Sequence, residues 1–354
     1  MADELPDIVK ALKFQAVVCR QMGSPLNGVL LDRAAADWLD GGPVRALLAP
    51  WADSGLQAQL DAAAPIRLIG AWHELALSGD DAIVADAYAR LDVDAAWDAV
   101  LAASEAYADR LAGFMAHEPQ TNEVRRSVCL VGGFLEIARA TGLPLRCFEL
   151  AASAGLNTSW DRYRYQLGEA SWGDPAAAVS LDAEWEGPAP PVEALVRVTE
   201  RAACDRRPTD LRDADQRRRL LAYVWADQGD RLARARAAID VALAEGVEVE
   251  AADAVEWSRR RVGPQAGAAT VIFHSVFWQY MPAESQRAMA ELIGEIGARA
   301  TPQAPFAWLR MEPPLPVPGM EVRLTLWPSG EERLLADVHP HGASVTWRDA
   351  ANPS

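Results

Sequence analysis

Cysteine is scarce in this 354-residue chain: Cys19, Cys129, Cys147 and Cys204 stand far apart, and no CxxC pair offers half of a zinc site. Such usage points to a reduced chain with buried thiols rather than a disulfide framework. Long apolar runs are missing too, so no segment reads as a membrane span, and the opening MADELPDIVKALKF carries acids where a signal peptide needs bases. The expectation is a cytoplasmic protein with no membrane partner. Basic patches are also lacking, because 34 Lys and Arg stand against 50 Asp and Glu for a net charge of −16. The arginine runs at 217–219 and 259–261 read as solvated helix faces, which disfavours nucleic acid as a partner.

What is present is enough chain for one large domain or two ordinary ones. Segments 8–21, 33–39, 44–51, 56–62, 66–77, 82–89, 94–117 and 123–140 carry apolar residues at helical spacing, so residues 1–140 read as an all-α amino-terminal domain. From residue 145 the texture changes. Short β-rich runs at 145–150, 195–203, 247–251, 270–274 and 306–311 alternate with helices, which predicts a mostly parallel sheet with crossover helices. Segments 322–327, 333–338 and 344–347 read as an antiparallel finish, making 141–354 an α/β domain. Within it, 163–167 and 179–185 read as a hairpin insertion, either a lid over a ligand crevice or a cover for a sheet edge.

Residues 145–157, LRCFELAASAGLN, are a strand ending on an acid, then a turn of small residues, then a helix start. A strand end followed by a helix amino terminus presents free N–H groups to a ligand. Glu149, Ala151, Ser153 and Gly155 fall on the spacing E-x-G-x-G-x-G. That spacing resembles the first motif of S-adenosylmethionine-dependent methyltransferases, with two of its three glycines replaced. The dinucleotide pattern G-x-G-x-x-G puts its third glycine on Leu156, so a nicotinamide-dependent oxidoreductase is the weaker reading.

Further motifs, PQTNEVRRS (119–127), ELAASAGLNTSWDRYRY (149–165), WGDP (172–175), CDRRPTD (204–210), VWADQ (224–228), ADA (252–254) and HPHG (339–342), together resemble the bacterial family catalogued as domain of unknown function 2332. That resemblance implies a Rossmann-like, methyltransferase-type sheet and carries no established activity.

The methyltransferase resemblance assigns roles. Glu149 orients the charged amino-acid end of the cofactor, Ala151, Ser153 and Gly155 line it, and Asn157 caps the turn or reaches the same end. Asp205 binds the ribose hydroxyls, with Glu200 as runner-up, or forms an Asx turn before Pro208. Asp253 and Ala254 contact adenine, or Asp253 caps the next helix. Phe277, Trp278 and Tyr280 surround the sulfonium or pack the core. Methyl transfer is an in-line displacement that needs a base for a weak nucleophile, and His274, Glu312, His339 and His341 are the candidates. His339 and His341 alone are too few to hold zinc, so no metal is expected.

Thr121 can cap the helix that follows, while Asn122, Glu123 and Arg126 are placed to grip a polar small-molecule substrate. Arg162 or Arg164 can bind an anionic substrate or pair on the surface. The absence of the N-P-P-aromatic motif and of a Pro-Cys nucleophile argues against nucleic-acid base modification. Two readings result: a methyltransferase using S-adenosylmethionine on a small molecule, or a non-catalytic ligand-binding protein on the same fold.

Overall fold

The computed structural model describes residues 5–314 and 319–348. The first residues of the amino-terminal reading and the last of the α/β reading therefore lie outside the described residues. Contacts divide the chain into two compact units, Met1–Thr121 with Asp213–Ala233, and Asn122–Arg212 with Arg234–Ser354. Periodicity alone sets the boundary near residue 140. The contacts set it at Asn122, because the helix after it is buried in the second unit.

The first unit is helical: α1 (Asp7–Gln21), α2 (Pro25–Asp40), α3 (Pro43–Leu48), α4 (Leu56–Asp61), α5 (Ala64–Ser78), α6 (Ala82–Arg90), α7 (Val93–Ala106) and α8 (Ala108–Met115). Their starts follow capping chemistry. Ser24, Asp81 and Asp92 accept bonds from the first-turn N–H groups of α2, α6 and α7. The apolar stripes close on a core around Leu12, Leu30, Leu68 and Trp72. The second unit opens with α9 (Arg126–Thr141), and α10 (Ala214–Ala222) returns to the first unit. On α10 the arginine run is not a solvated face. Arg218 and Arg110 both bond Glu74, whose side chain is only 10% exposed, and Arg219 lies over the Phe114 ring. The other run, Arg259 to Arg261, is exposed.

In the second unit β1 (Leu145–Leu150) is followed by β2 (Arg164–Leu167), β3 (Ala170–Trp172), β4 (Ser180–Asp182) and β5 (Glu184–Glu186). Then come β6 (Val198–Asp205), α11 (Gly229–Ala244, of which the part from Arg234 on belongs to this unit), β7 (Val249–Ala251), α12 (Ala254–Arg261), β8 (Ala269–Ser275), α13 (Ala283–Gly297) and β9 (Phe306–Glu312). The chain finishes with β10 (Glu321–Trp327), β11 (Glu331–Val338) and β12 (Ser344–Trp347). One sheet has the order β7-β6-β1-β8-β9-β10-β11-β12-β5. From β7 to β9 every neighbour is parallel, whereas β9 to β12 form an antiparallel meander. The protein is thus mixed α/β, with a large mostly parallel sheet and an amino-terminal helical region.

The insertion differs from a single hairpin. β2 pairs antiparallel with β3 but parallel with β4, and β5 leaves this small sheet to pair with β12 at the edge of the large one. Trp185 of β5 stacks on Trp347 of β12 at 6.0 Å and holds β5 at that edge, while Trp172 stacks at 5.7 Å on Trp160 and holds β3 against the unit's core.

Side chains alternate across the strands. Phe273 meets Phe134 of α9 on one face, while Ile272 joins Phe148, Trp257 and Ile293 under α12 and α13 on the other. A helix buried nearly all round, as α9 is from Ser127 to Ala138, belongs in such a core. Following the chain, β1, β6 and β7 step one way and β8 and β9 the other. The order reverses between β1 and β8, which leaves a crevice beyond their carboxyl ends.

Candidate functional site at the strand ends

Backbone strain marks this crevice. Among the described residues five non-glycine residues have positive φ, and three of them, Ala151 (52°), Ser153 (55°) and Val276 (54°), sit directly after β1 and β8. L-residues avoid that region at a cost of about 1 kcal/mol or more, and such strain collects at functional sites. Gly155 is also left-handed at 73°, so all three glycine positions of the motif adopt the conformation glycine favours. A Cβ on Gly155 would also lie 2.7 Å from Val247. Replacing Ala151 or Ser153 by Gly is expected to raise stability on the order of 1 kcal/mol each, read as the urea midpoint at unchanged m; a loss of stability would remove the strain argument.

The strained loop is held in place by side chains. Asp205 Oδ2 accepts from the Ser153 N–H at 2.8 Å and Oδ1 from the Arg207 N–H at 2.8 Å, so the acid forms the Asx turn and clasps the β1 loop. Asn122 Oδ1 accepts from the Leu156 N–H at 2.9 Å, and Asn157 joins the Ser127 hydroxyl (2.7 Å) to the Glu123 carbonyl (3.3 Å). Both asparagines therefore tie the amino-terminal end of α9 to the loop. The Ser153 hydroxyl is buried and has no hydrogen-bond partner among the described residues.

Glu149 is 4% exposed and accepts a short hydrogen bond from the Thr158 hydroxyl. Burial pushes its carboxyl up to about 8, the Thr158 bond opposes the shift, and the Asp205 charge adds to it. At neutral pH it is mostly the neutral acid. Thr158 was not legible as a site residue, because its role depends on the turn Leu156–Arg162 folding back over β1.

The two adenine candidates each have a structural role. Asp253 caps α12, accepting from Val255 N–H (2.9 Å) and Glu256 N–H (3.2 Å), while Ala254 lies in the apolar core with Phe148 and Trp257. Arg162 pairs with Glu245 at 2.9 Å on the surface, and Arg164 is bonded within the small sheet to Gly173 and Ser171. Glu200 pairs with Arg146 at 2.6 Å, away from the strand end.

His274 is fully buried, with neither nitrogen free. Nδ1 contacts Glu312 Oε1 at 2.6 Å and Nε2 accepts from the Trp308 indole N–H at 3.0 Å, a network that assigns the proton to Nδ1. Trp278 stacks on its ring at 5.7 Å. Both ring nitrogens are thus engaged, and Nδ1 ties the imidazole to Glu312. Val276, the strained β-branched residue, turns the chain so that the Phe277 N–H also donates to Glu312, at 2.9 Å. Glu312 ends β9 with its side chain 11% exposed and spare lone pairs on Oε2.

The HPHG turn sits against the start of α9. Gly342, at φ 71°, passes so close that a Cβ would lie 2.3 Å from the Arg125 carbonyl oxygen. His339 is exposed and accepts from the His341 N–H at 3.1 Å, while His341 Nδ1 is 3.9 Å from Glu123 Oε2. Arg126 donates from Nε to the Pro340 carbonyl (3.1 Å) and from Nη1 to the Ser275 carbonyl (3.5 Å). Tyr280 is 73% exposed. Among the described residues no group of three or more His, Cys, Asp or Glu is placed to hold a metal ion.

Fold and crevice together define an α/β protein whose parallel strands, numbered among themselves, run 3-2-1-4-5. The chain belongs to the family described as uncharacterized protein conserved in bacteria, domain of unknown function 2332, which matches residues 9–347. No curated protein and no solved structure matches the chain.

Proposed function

We propose that the protein is an S-adenosylmethionine-dependent methyltransferase of methyltransferase-type fold acting on a small molecule in the crevice of β1 and β8. One observation carries the reading: Ala151, Ser153 and Gly155 all adopt the left-handed backbone behind a buried Glu149 at the carboxyl end of β1. Keeping two strained residues in a glycine conformation makes sense where the backbone must follow a ligand. The buried Ser153 hydroxyl, without a hydrogen-bond partner among the described residues, fits the same need.

S-adenosylmethionine would supply an electrophilic methyl group. Glu149 would face its amino-acid end, and Asp205, whose two oxygens keep spare lone pairs, would accept from its ribose. Glu312 is the group at the strand ends able to take a proton from a weak nucleophile, since His274 has both nitrogens engaged. Water exclusion falls to the aromatic residues after β8, of which Phe277 and Trp278 are half-buried.

A second reading, a non-catalytic ligand-binding protein, is favoured by Asp205, because both of its oxygens already hold backbone N–H groups. Calorimetric titration with S-adenosylmethionine and S-adenosylhomocysteine separates the two. Micromolar binding of both, lost in Asp205→Ala, is expected; heat from neither ligand sinks the methyltransferase reading.

A further inference from the structure

Arg126 is the first residue of α9, at an end with no acid in the first turn and no side-chain cap. Its guanidinium meets two carbonyl oxygens and, among the described residues, no carboxylate within 4 Å. Its neighbours in the same unit differ. Arg146 reaches Glu200 at 2.6 Å, Arg201 reaches Asp161 at 2.7 Å and Arg310 reaches Glu332 at 2.5 Å. Burial holds the Arg126 pKa below the ordinary arginine range, with Glu123, Tyr280 and Glu312 opposing the shift. A part-buried guanidinium with five donors and, among the described residues, two acceptors leaves a fork without an anion.

Glu312 presents the opposite case. Its carboxylate accepts from His274 and Phe277, meets no Lys or Arg within 4 Å among the described residues, and keeps lone pairs on Oε2. Arg126 Nη1 reaches the Ser275 carbonyl, and Ser275 pairs with Met311, the residue before Glu312, so both groups lie at the carboxyl ends of β8 and β9 without an ion pair between them. Arg126 and Glu312 carry opposite charges, a pairing that suits a zwitterion better than a phosphate dianion.

We propose that Arg126 and Glu312 form the two ends of a subsite for a small amino carboxylate, the carboxylate seated on the Arg126 guanidinium and the ammonium on Glu312. Planar bidentate pairing suits the first contact, and the rings of Phe277 and Trp278, which pack on His274 next to Glu312, suit the second. The ligand is called a substrate only on the strength of the function proposed above; the subsite itself does not depend on it.

The test is thermal-shift and calorimetric titration of the whole chain with glycine, β-alanine, γ-aminobutyrate and ε-aminocaproate, each also as its carboxyl amide and its N-acetyl derivative, and with inorganic phosphate. At least one free amino carboxylate is expected to bind, with either cap weakening it about tenfold or more. Arg126→Gln and Glu312→Gln should each lose that binding, while Arg260→Gln, at an exposed pair with Glu250, leaves it unchanged. Comparing capped and uncapped ligands on the unaltered protein keeps the test decisive even where a variant fails to fold. The proposal is overturned if no uncapped member binds, if the amide binds as well as the acid, or if phosphate binds in their place. Displacement of S-adenosylhomocysteine by the amino carboxylate also overturns it, by making Arg126 a cofactor contact. Amino-carboxylate binding without any S-adenosylmethionine binding keeps the subsite and removes the methyltransferase reading.

Discussion

At about pH 8 the Glu149→Gln protein is expected to be more stable than the parent by several kcal/mol, while at about pH 5 the two are nearly equal. In the unfolded chain this carboxyl ionises near its ordinary value of 4.5; in the folded chain burial raises that to about 8. The unfolded state therefore releases the proton first. Stability due to the neutral acid is fully present below pH 4.5 and is lost as pH rises through 8. A difference of that size corresponds to roughly 4 to 5 kcal/mol across the window, at about 1.4 kcal/mol per pH unit. Glutamine keeps an acceptor for the Thr158 hydroxyl and a donor where the neutral acid carries its proton, but has nothing to ionise. The measurement is urea unfolding of both proteins across that pH range; parallel curves would show that Glu149 is ionised in the folded state.

Trp160→Ala should cost about 3 to 5 kcal/mol, the range for removing a large buried aromatic residue. Trp160 is 1% exposed, stacks on Phe134 of α9 at 3.9 Å with planes 7° apart, and stacks on Trp172 of β3 at 5.7 Å. Its carbonyl accepts from the Tyr165 hydroxyl at 2.7 Å. The side chain thus joins α9, the small sheet and the turn that carries Asn157 and Thr158. Trp160→Phe keeps the stack on Phe134 and should lose less than half as much. The urea midpoint at constant m reads both variants, and a loss below about 1 kcal/mol for Trp160→Ala would mean that the stack contributes little.

Local chemistry was legible where the partner is close in sequence. The run LRCFEL forms β1 over the residues its apolar composition suggests, and Asp253 caps α12 through N–H groups two and three residues on. Asp205 closes its Asx turn for the same reason. The strain at Ala151 and Ser153 was legible only as a question, since small residues at glycine positions state no φ.

Roles that depend on distant groups were not legible. His274 reads as a base until Trp308 and Glu312, 34 and 38 residues away, occupy its two nitrogens. Arg218 reads as solvated until Glu74, 144 residues away, meets it. The insertion reads as one hairpin because pairing between adjacent runs is the simplest closure, yet β5 finds its edge on β12. Nothing local to 213–233 says which unit that segment joins.

By itself the sequence determined the class of each element, the alternation that makes a mostly parallel sheet, and the acid-plus-small-residue turn after β1, because periodicity, capping and turn chemistry act within a few residues. Only the tertiary structure decided which of the candidate residues are left with unfilled hydrogen-bonding capacity at the strand ends. Distant partners use up His274 and Arg162, and among the described residues Arg126 and Glu312 each keep hydrogen-bonding capacity and meet no oppositely charged Lys, Arg, Asp or Glu within 4 Å.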